Sequence, residues 1–303
     1  MKKIILTGGT GAIGKRLSKR LMDRGDEVVL FTRDIESAKK NVPGAAKYVR
    51  WNYSNDDWFG EVENAAAVIH LAGENVFSAR WTERQKKKIY ESRIKSTSKL
   101  IEAIKKAKVK PESFIAASAV GYYGNSVHPV DEDSNPGTDF LARVTKAWED
   151  ESKNIETIGV RRVNIRTGIV LDRASGALAR LIIPFKLFLG GPLGSGKQWF
   201  PWIHIDDLIE IYLLSIDSKK ISGVMNAVSP GIVSMDRFCK TLGKEMNRPA
   251  AMKVPEFILK LFLGERADVL LEGACVIPQK TVETGFCFKH EDLKEALRDL
   301  LKN

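Results

Sequence analysis

Short apolar runs recur through the first half of the chain, separated by stretches whose apolar residues fall at helical spacing. The first run centres on Ile4-Ile5 and is followed by a helical pattern from Gly11 to Arg24 and a turn at Gly25. Val28 to Thr32, Tyr48 to Trp51 and Ala67 to Ala72 read as the next three strands. Thr82 to Lys108 reads as a long amphipathic helix carrying Ile89, Ile94, Leu100, Ile101 and Ile104. Phe114 to Ala119 is a fifth strand, Phe140 to Ile158 a further helix, and Val160 to Leu171 a sixth strand. Runs without alternation suit strands buried on both faces, and strands separated by helices require parallel pairing. The expected fold class is α/β, a Rossmann-like doubly wound parallel sheet.

The pattern changes after Leu171. An apolar helical run from Leu178 to Leu189 leads into the loop Gly190-Gly191-Pro192-Leu193-Gly194-Ser195-Gly196, which lacks the Gly-Lys-Ser/Thr ending of a Walker loop. It is read as a loop bordering a substrate site. The last 70 residues mix helices (Ser234 to Met246, Glu256 to Gly264, His290 to Lys302) with short apolar pieces. The expected organisation is a nucleotide-binding domain over 1–173, with 205–228 packing back on it, and a smaller substrate or lid domain over 174–303.

The turn after the first strand carries the chemistry. Leu6 to Gly14 reads Leu-Thr-Gly-Gly-Thr-Gly-Ala-Ile-Gly, between a strand and a helix, which is the order that docks a dinucleotide pyrophosphate. Gly8 can take backbone angles closed to other residues, Gly11 lets the main chain approach the phosphates, and Gly14 lets helix and strand pack closely. Amides at the helix start, around Thr10, Ala12 and Ile13, favour an anion.

Composition narrows the class. At 303 residues, 44% hydrophobic and 28% charged, the chain can bury a large core, and it has no run of about 18 apolar residues. The four-residue apolar start reads as a strand rather than a secretory signal. Cys239, Cys275 and Cys287 show no metal spacing, and a reducing cytoplasm is the expected setting. The formal charge of +10 gathers at Lys86-Lys87-Lys88 and at Lys105, Lys106, Lys108 and Lys110. No helix-turn-helix, zinc or stacking-aromatic pattern accompanies these clusters, so they read as solvated helix faces rather than a nucleic-acid surface. The expected partner is a small molecule, without nucleic acid, membrane or metal, on a monomer or homodimer.

The residue ending the second strand discriminates between the nicotinamide cofactors. An acidic side chain there would accept from the ribose hydroxyls and repel a 2′-phosphate. This chain has Thr32-Arg33, whose guanidinium suits a phosphate, and Asp34 falls where a helix would use it as an N-cap. NADP is therefore expected over NAD.

Thr7-Gly8-Gly9-Thr10-Gly11-Ala12-Ile13-Gly14, His70-Leu71-Ala72-Gly73 and Ser118-Ala119-Val120-Gly121-Tyr122-Tyr123-Gly124 resemble the extended short-chain dehydrogenase/reductases, which include sugar-nucleotide epimerases. Arg80-Trp81-Thr82, Ser92-Arg93, Trp148-Glu149, Pro201 to Asp207 and Val276-Ile277-Pro278 resemble its atypical epimerase-like subgroup, which carries a small C-terminal domain. The resemblance implies that Leu71 and Ala72 line the cofactor, with Glu74 and Asn75 at the carboxyl end of their strand. Arg93 falls where extended members usually have asparagine; the two readings are contact with cofactor or substrate phosphate, and a surface ion pair, for example with Glu91.

The family's chemistry rests on a tyrosine and a lysine four residues apart, the lysine lowering a phenol pKa of about 10. No tyrosine here (Tyr48, Tyr53, Tyr90, Tyr122, Tyr123, Tyr212) has that lysine. Alignment on Glu149 puts Leu141 and Thr145 at the two positions, with Lys146 one residue off, about 100° around the helix. The active-site serine falls on Ser118 with an insertion, or on Ala119 without. Tyr123, Ser118 and His204 are the candidate substitutes, Tyr123 and His204 each with a structural alternative: packing beside the substrate, or hydrogen bonding as a buried donor. His70, mid-strand among apolar residues, reads as a buried hydrogen-bonded group. Two functions follow from these residues. One is an NADP-dependent oxidoreductase or epimerase on a small polar substrate, sugar derivatives included; the other is a non-catalytic NADP-binding sensor.

Overall fold

The protein is described here by a computed structural model covering residues 1–52 and 55–302. Tyr53 lies outside the described residues. The nucleotide-binding half opens with β1 (Lys3–Thr7), α1 (Ala12–Asp23), β2 (Glu27–Thr32), α2 (Ile35–Asn41), β3 (Lys47–Arg50) and β4 (Ala67–His70). Then come α3 (Glu83–Lys106), β5 (Ser113–Ala119), β6 (Ser126–Val130), α4 (Phe140–Lys153), β7 (Arg161–Thr167) and β8 (Ile169–Asp172). Beyond these lie α5 (Gly176–Lys186), β9 (Trp202–His204), α6 (Ile205–Asp217) and β10 (Gly223–Ala227). The remainder holds α7 (Met235–Met246), α8 (Glu256–Leu263), α9 (Asp268–Leu271), β11 (Ala274–Val276), α10 (Gln279–Glu283) and α11 (Leu293–Lys302).

Seven parallel strands form the central sheet in the order β10-β7-β5-β4-β1-β2-β3. The order reverses beside β1, so the crevice at the carboxyl ends of β1 and β4 is the topological switch point. Successive residues of β1 point to opposite faces. Ile4 and Leu6 pack with Leu17 and Leu21 of α1, whereas Ile5 packs with Leu100 and Ile104 of α3. This two-sided burial is why the strands read as unbroken apolar runs rather than alternating ones. α3 begins on Thr82, whose hydroxyl accepts from the Gln85 amide at 3.3 Å, and ends with Lys105 and Lys106 in its last turn.

The expected sixth strand over 160–171 is two strands. β7 stays in the sheet, and the chain turns out at Gly168 so that β8 pairs in parallel with β9. A Cβ at Gly168 would meet the Pro201 carbonyl oxygen at 2.5 Å, so only glycine lets the two backbones meet there. The helix expected over 140–158 ends at Lys153 and gives way to a 3-10 turn and Gly159 in the left-handed region. The sequence pattern did not reveal β10 as the sheet's edge, nor the small pair β6–β11. That pair ties the C-terminal segment to the residues following β5.

α6 packs on α1, and α11 packs on α7 through an apolar stripe of Leu293, Ala296, Leu297 and Leu300. The three cysteines are free thiols, and among the described residues no helix is long and apolar enough to cross a membrane.

Candidate functional site

The glycine turn closes as its sequence requires. Gly8 sits at φ +70°, and its carbonyl accepts from the Gly11 amide at 3.0 Å. A Cβ at Gly8 would meet the Leu71 carbonyl carbon at 2.8 Å, and one at Gly14 would meet the Gly8 oxygen at 2.3 Å. Gly14 therefore seats α1 against the turn, and Gly8 lets the turn pass the end of β4. α1 has no side-chain cap and no acidic residue in its first turn, which leaves its amides open to an anion.

Above this turn lies a cleft of about 470 Å³. Gly8, Thr10 and Gly11 form its floor, Thr32 and Arg33 one wall, and Leu71, Ala72 and Glu74 another, with Lys88, Ser92 and Lys95 of α3 opposite. Thus the expected positions on β1, β2 and β4 converge although they are far apart in sequence. Ala12, Ile13 and Gly14 lie just behind, in the first turn of α1. The Thr32 hydroxyl donates to the Asp34 carbonyl at 3.0 Å, and the Asp34 carboxylate caps α2 by accepting from the Ser37 amide at 3.0 Å. Arg33 is exposed between them, with no hydrogen bond or ion pair among the described residues.

Glu74 and Arg93 shape the cleft. Burial works against the Glu74 charge, but hydrogen bonds from Lys88, Ser78 and Gln85 hold its carboxyl below the usual range. Arg93 is absent from the cleft lining and makes no pair with Glu91, which is bound to Lys95 at 3.0 Å. Its guanidinium lies behind Gly73, donates to the carbonyls of Glu74 (3.1 Å) and Ile89 (3.0 Å), and rests over the Trp148 ring. Neither expected role describes this arrangement. Arg93 braces the turn after β4, and burial lowers its pKa to about 10.

His70 is the buried hydrogen-bonded group expected. Ser96 Oγ donates to the Ser92 carbonyl, so His70 Nε2 carries the proton toward Ser96 (3.0 Å), and Nδ1 accepts from Thr7 Oγ1 (2.7 Å). Burial, and secondarily Arg93, lower its pKa to about 3.

At the carboxyl ends of β5 and β7 the candidates Ser118 and Tyr123 are hydrogen-bonded to buried neighbours. The Ser118 hydroxyl donates to Glu149, whose carboxylate takes two 2.8 Å hydrogen bonds from Arg166. Arg166 Nη1 also donates to the Tyr123 hydroxyl at 2.9 Å, and that hydroxyl donates to Asn226 Oδ1 at 2.7 Å. All five residues are buried. Ser118 and Tyr123 are members of a closed polar network, and burial drives the Tyr123 phenol well above its ordinary pKa, against the pull of Arg166.

His204 is elsewhere. It caps α6, Nδ1 accepting from the Asp206 amide at 3.1 Å, and its ring stacks on His290 with centroids 3.7 Å apart. Burial, and then His290, hold its pKa below the ordinary value. His204, Asp206, His290 and Asp299 offer atoms within 4.8 Å of one another, a grouping invisible in their spacing. Because Nδ1 takes the amide, the proton of a neutral His204 sits on Nε2, which faces Asp299 Oδ2 at 3.4 Å, so His204 itself has no free lone pair for a metal.

A second pocket, of about 300 Å³, opens where the family's tyrosine would stand. Leu141 lines it with Val120, Gly121 and Ile169, and Trp81, Phe140 and Trp199 supply aromatic surface. Thr145, at the lysine position, is buried and donates to the Leu141 carbonyl at 2.8 Å. Lys146 points outward into an ion pair with Asp150. The charged lining groups are Asp139, Glu265, Asp268 and Glu272, a set scattered over two distant segments and not apparent from the sequence.

Residues 4–227 match the NAD dependent epimerase/dehydratase family, and residues 254–300 match a domain of unknown function, DUF1731. The chain is 39% identical to the chloroplastic epimerase family protein SDR39U1 homolog of Arabidopsis thaliana, over 99% of this chain and 86% of that one. Its fold superposes on the crystal structure of human epimerase family protein SDR39U1 with NADPH at a TM-score of 0.89, with 34% identity and 99% of both chains covered. The UDP-glucuronic acid 4-epimerase of Bacillus cereus, crystallised with UDP-glucuronic acid and NAD, shares the fold at a TM-score of 0.80 and 21% identity over 99% of both chains. With the glycine turn, the seven-stranded parallel sheet and the appended C-terminal segment all in place, the chain belongs to the NAD dependent epimerase/dehydratase family.

Proposed function

We propose that this protein binds NADP(H) and acts as an oxidoreductase or epimerase on a small polar substrate, without the family's tyrosine–lysine pair. The observation that carries the cofactor reading is Arg33, a guanidinium with no partner among the described residues at the end of β2, in the same cleft as an uncapped α1. In this reading Gly8, Thr10 and Gly11, with the amides of Ala12, Ile13 and Gly14, hold the pyrophosphate. Thr32 and Arg33 take the 2′-phosphate by charge-assisted hydrogen bonds. Leu71 and Ala72 contact the adenosine half, and the Glu74 carboxylate stays bound to Gln85 and Lys88 of α3. The cofactor supplies hydride transfer. Support comes from the human relative, which was crystallised with NADPH.

The chain's own residues divide the remaining work. Leu141 gives the substrate pocket an apolar wall where the family has a phenol, and Ser118 and Tyr123 hold the floor rigid from below. The locked network around Arg166 also favours a second reading, a non-catalytic protein that responds to NADP(H) occupancy.

Titration with NADPH and NADH tests the cofactor reading. NADPH is expected to bind at least about tenfold more tightly, or 1.4 kcal/mol, and Arg33→Asp is expected to abolish the difference. Equal affinities in the unaltered protein would overturn it. Oxidation of NADPH by a member of a broad carbonyl-compound panel supports the enzyme; tight binding without turnover of any member transfers the conclusion to the second reading.

A further inference from the structure

The reaction-side pocket differs in charge from the nucleotide cleft beside it. The cleft carries Arg33, Lys88 and Lys95 beside Glu74 and Glu91, whereas the pocket lining contains no lysine, arginine or histidine. Its four charged residues are all acidic: Asp139, Glu265, Asp268 and Glu272. Three are partly offset from outside the pocket, and Asp139 is the cap of α4, accepting from the Ala142 amide at 3.0 Å. Lys86 pairs with Glu265 at 2.7 Å, and Lys260 lies 3.9 Å from Asp268 while binding Glu256 more closely at 2.7 Å. Nearby arginines are bound to backbone carbonyls: Arg266 to those of Leu263 and Phe77, Arg80 to those of Leu261 and Phe262, and Arg143 to that of Thr138. Glu272 has no ion pair among the described residues.

The walls add a second feature. Trp81 and Phe140 meet edge to face at 5.0 Å, and Trp199 completes an aromatic surface around the pocket. The segment holding Asp268 and Glu272 is fixed over this pocket by close backbone contact. A Cβ at Gly273 would meet the Trp199 carbonyl oxygen at 2.1 Å, and the Gly273 carbonyl accepts from the Ser126 amide at 3.4 Å. Carboxylates at the rim of an aromatic pocket are complementary to an organic cation, whose charge the ring faces also attract. A nucleoside diphosphate would place its phosphates against like charge with no lining cation to receive them.

Building on the proposed NADP(H)-dependent reading, we infer that the substrate of this pocket is a small molecule bearing an ammonium group, and not a nucleoside diphosphate sugar. The electrostatics agree with the geometry. Burial, followed by the Asp268 and Asp139 charges, raises the Glu272 carboxyl above the ordinary range, against the pull of Lys260.

Four probes test this on the full-length protein with NADP+ at low ionic strength: cyclohexylammonium, cyclohexanol, cyclohexyl phosphate and UDP-glucose. Binding is followed by saturation-transfer NMR and by tryptophan fluorescence, because Trp81 and Trp199 line the pocket. Cyclohexylammonium is expected to bind at least tenfold more tightly than cyclohexyl phosphate, with UDP-glucose weaker still. The double variant Asp268→Asn/Glu272→Gln is expected to weaken the ammonium compound at least fivefold and to change cyclohexanol less than twofold. Three results overturn the inference: phosphate or UDP-glucose binding as tightly as the ammonium, no detectable ammonium binding, or an ammonium affinity unchanged in the double variant. The NADPH titration of the unaltered protein reads the cofactor separately. If NADPH fails to bind, the functional reading fails; if it binds and the pocket does not prefer the cation, only this inference fails.

Discussion

Arg166 on β7 grips Glu149 on α4 through two parallel hydrogen bonds of 2.8 Å, with both side chains about 95% or more buried. The pair lies beneath the position where the family's catalytic tyrosine and lysine would act. It gathers Ser118 and Tyr123 into one buried hydrogen-bond network.

Removing one partner of a buried ion pair leaves the other charge uncompensated, at a cost of about 3–5 kcal/mol. Arg166→Met is therefore expected to lower the thermal midpoint sharply. The double variant Arg166→Met/Glu149→Gln is expected to recover part of that loss. Differential scanning calorimetry checks both, and additive losses in the double variant would show that the residues do not act as a pair.

Tyr123→Phe removes the hydroxyl that joins Arg166 to Asn226. The expected loss is about 1–3 kcal/mol of stability, the cost of leaving buried polar groups unsatisfied. Cofactor affinity is expected to stay within twofold. Urea unfolding and NADPH titration together distinguish this from a proton-transfer role, which would abolish turnover without a matching loss of stability.

Gly14→Ala places a methyl group 2.3 Å from the Gly8 oxygen. The turn must shift away from the start of α1, and NADPH affinity is expected to fall at least about tenfold, or 1.4 kcal/mol. Gly25→Ala makes a useful comparison, since a Cβ there meets nothing within 4 Å; at φ +84° it is expected to reduce stability while leaving affinity intact.

His70 contributes a pH dependence of definite sign. Its pKa of about 3 in the folded protein lies below the ordinary value of 6.5, so the unfolded chain binds the extra proton first as pH falls. The stabilisation is complete above pH 6.5 and declines as pH falls from 6.5 toward 3, by about 1.4 kcal/mol per pH unit. Urea midpoints measured from pH 7 to pH 4 are expected to fall less steeply in His70→Gln than in the unaltered protein. Parallel slopes would show that His70 is not the group responsible.

Local residues determined the nucleotide-binding half. The apolar runs gave the parallel strands because both faces of the sheet are covered, and the glycine turn was legible because each of its roles is played within a few residues. Arg33 was legible for the same reason: it directly ends a strand. Asp34 as a helix cap and His70 as a buried histidine also followed from their immediate neighbours. The one strand expected over 160–171 divided at Gly168 because of Pro201, a distant contact.

The reaction side was decided by tertiary structure. Ser118, Tyr123, Glu149, Arg166 and Asn226 come from separate elements, and only their packing shows that the hydroxyls are already bonded. His204 became a helix cap against His290 rather than an acid or base at the pocket, and Arg93 turned inward to two carbonyls. The acidic rim joins Asp139 to residues beyond 264, brought together by the β6–β11 pairing. Spacing along the chain reveals which backbone turns a strand and a helix can make. Whether a hydroxyl, imidazole or carboxylate is free to react depends on what the fold places within three ångströms of it, and that comes from elsewhere in the chain.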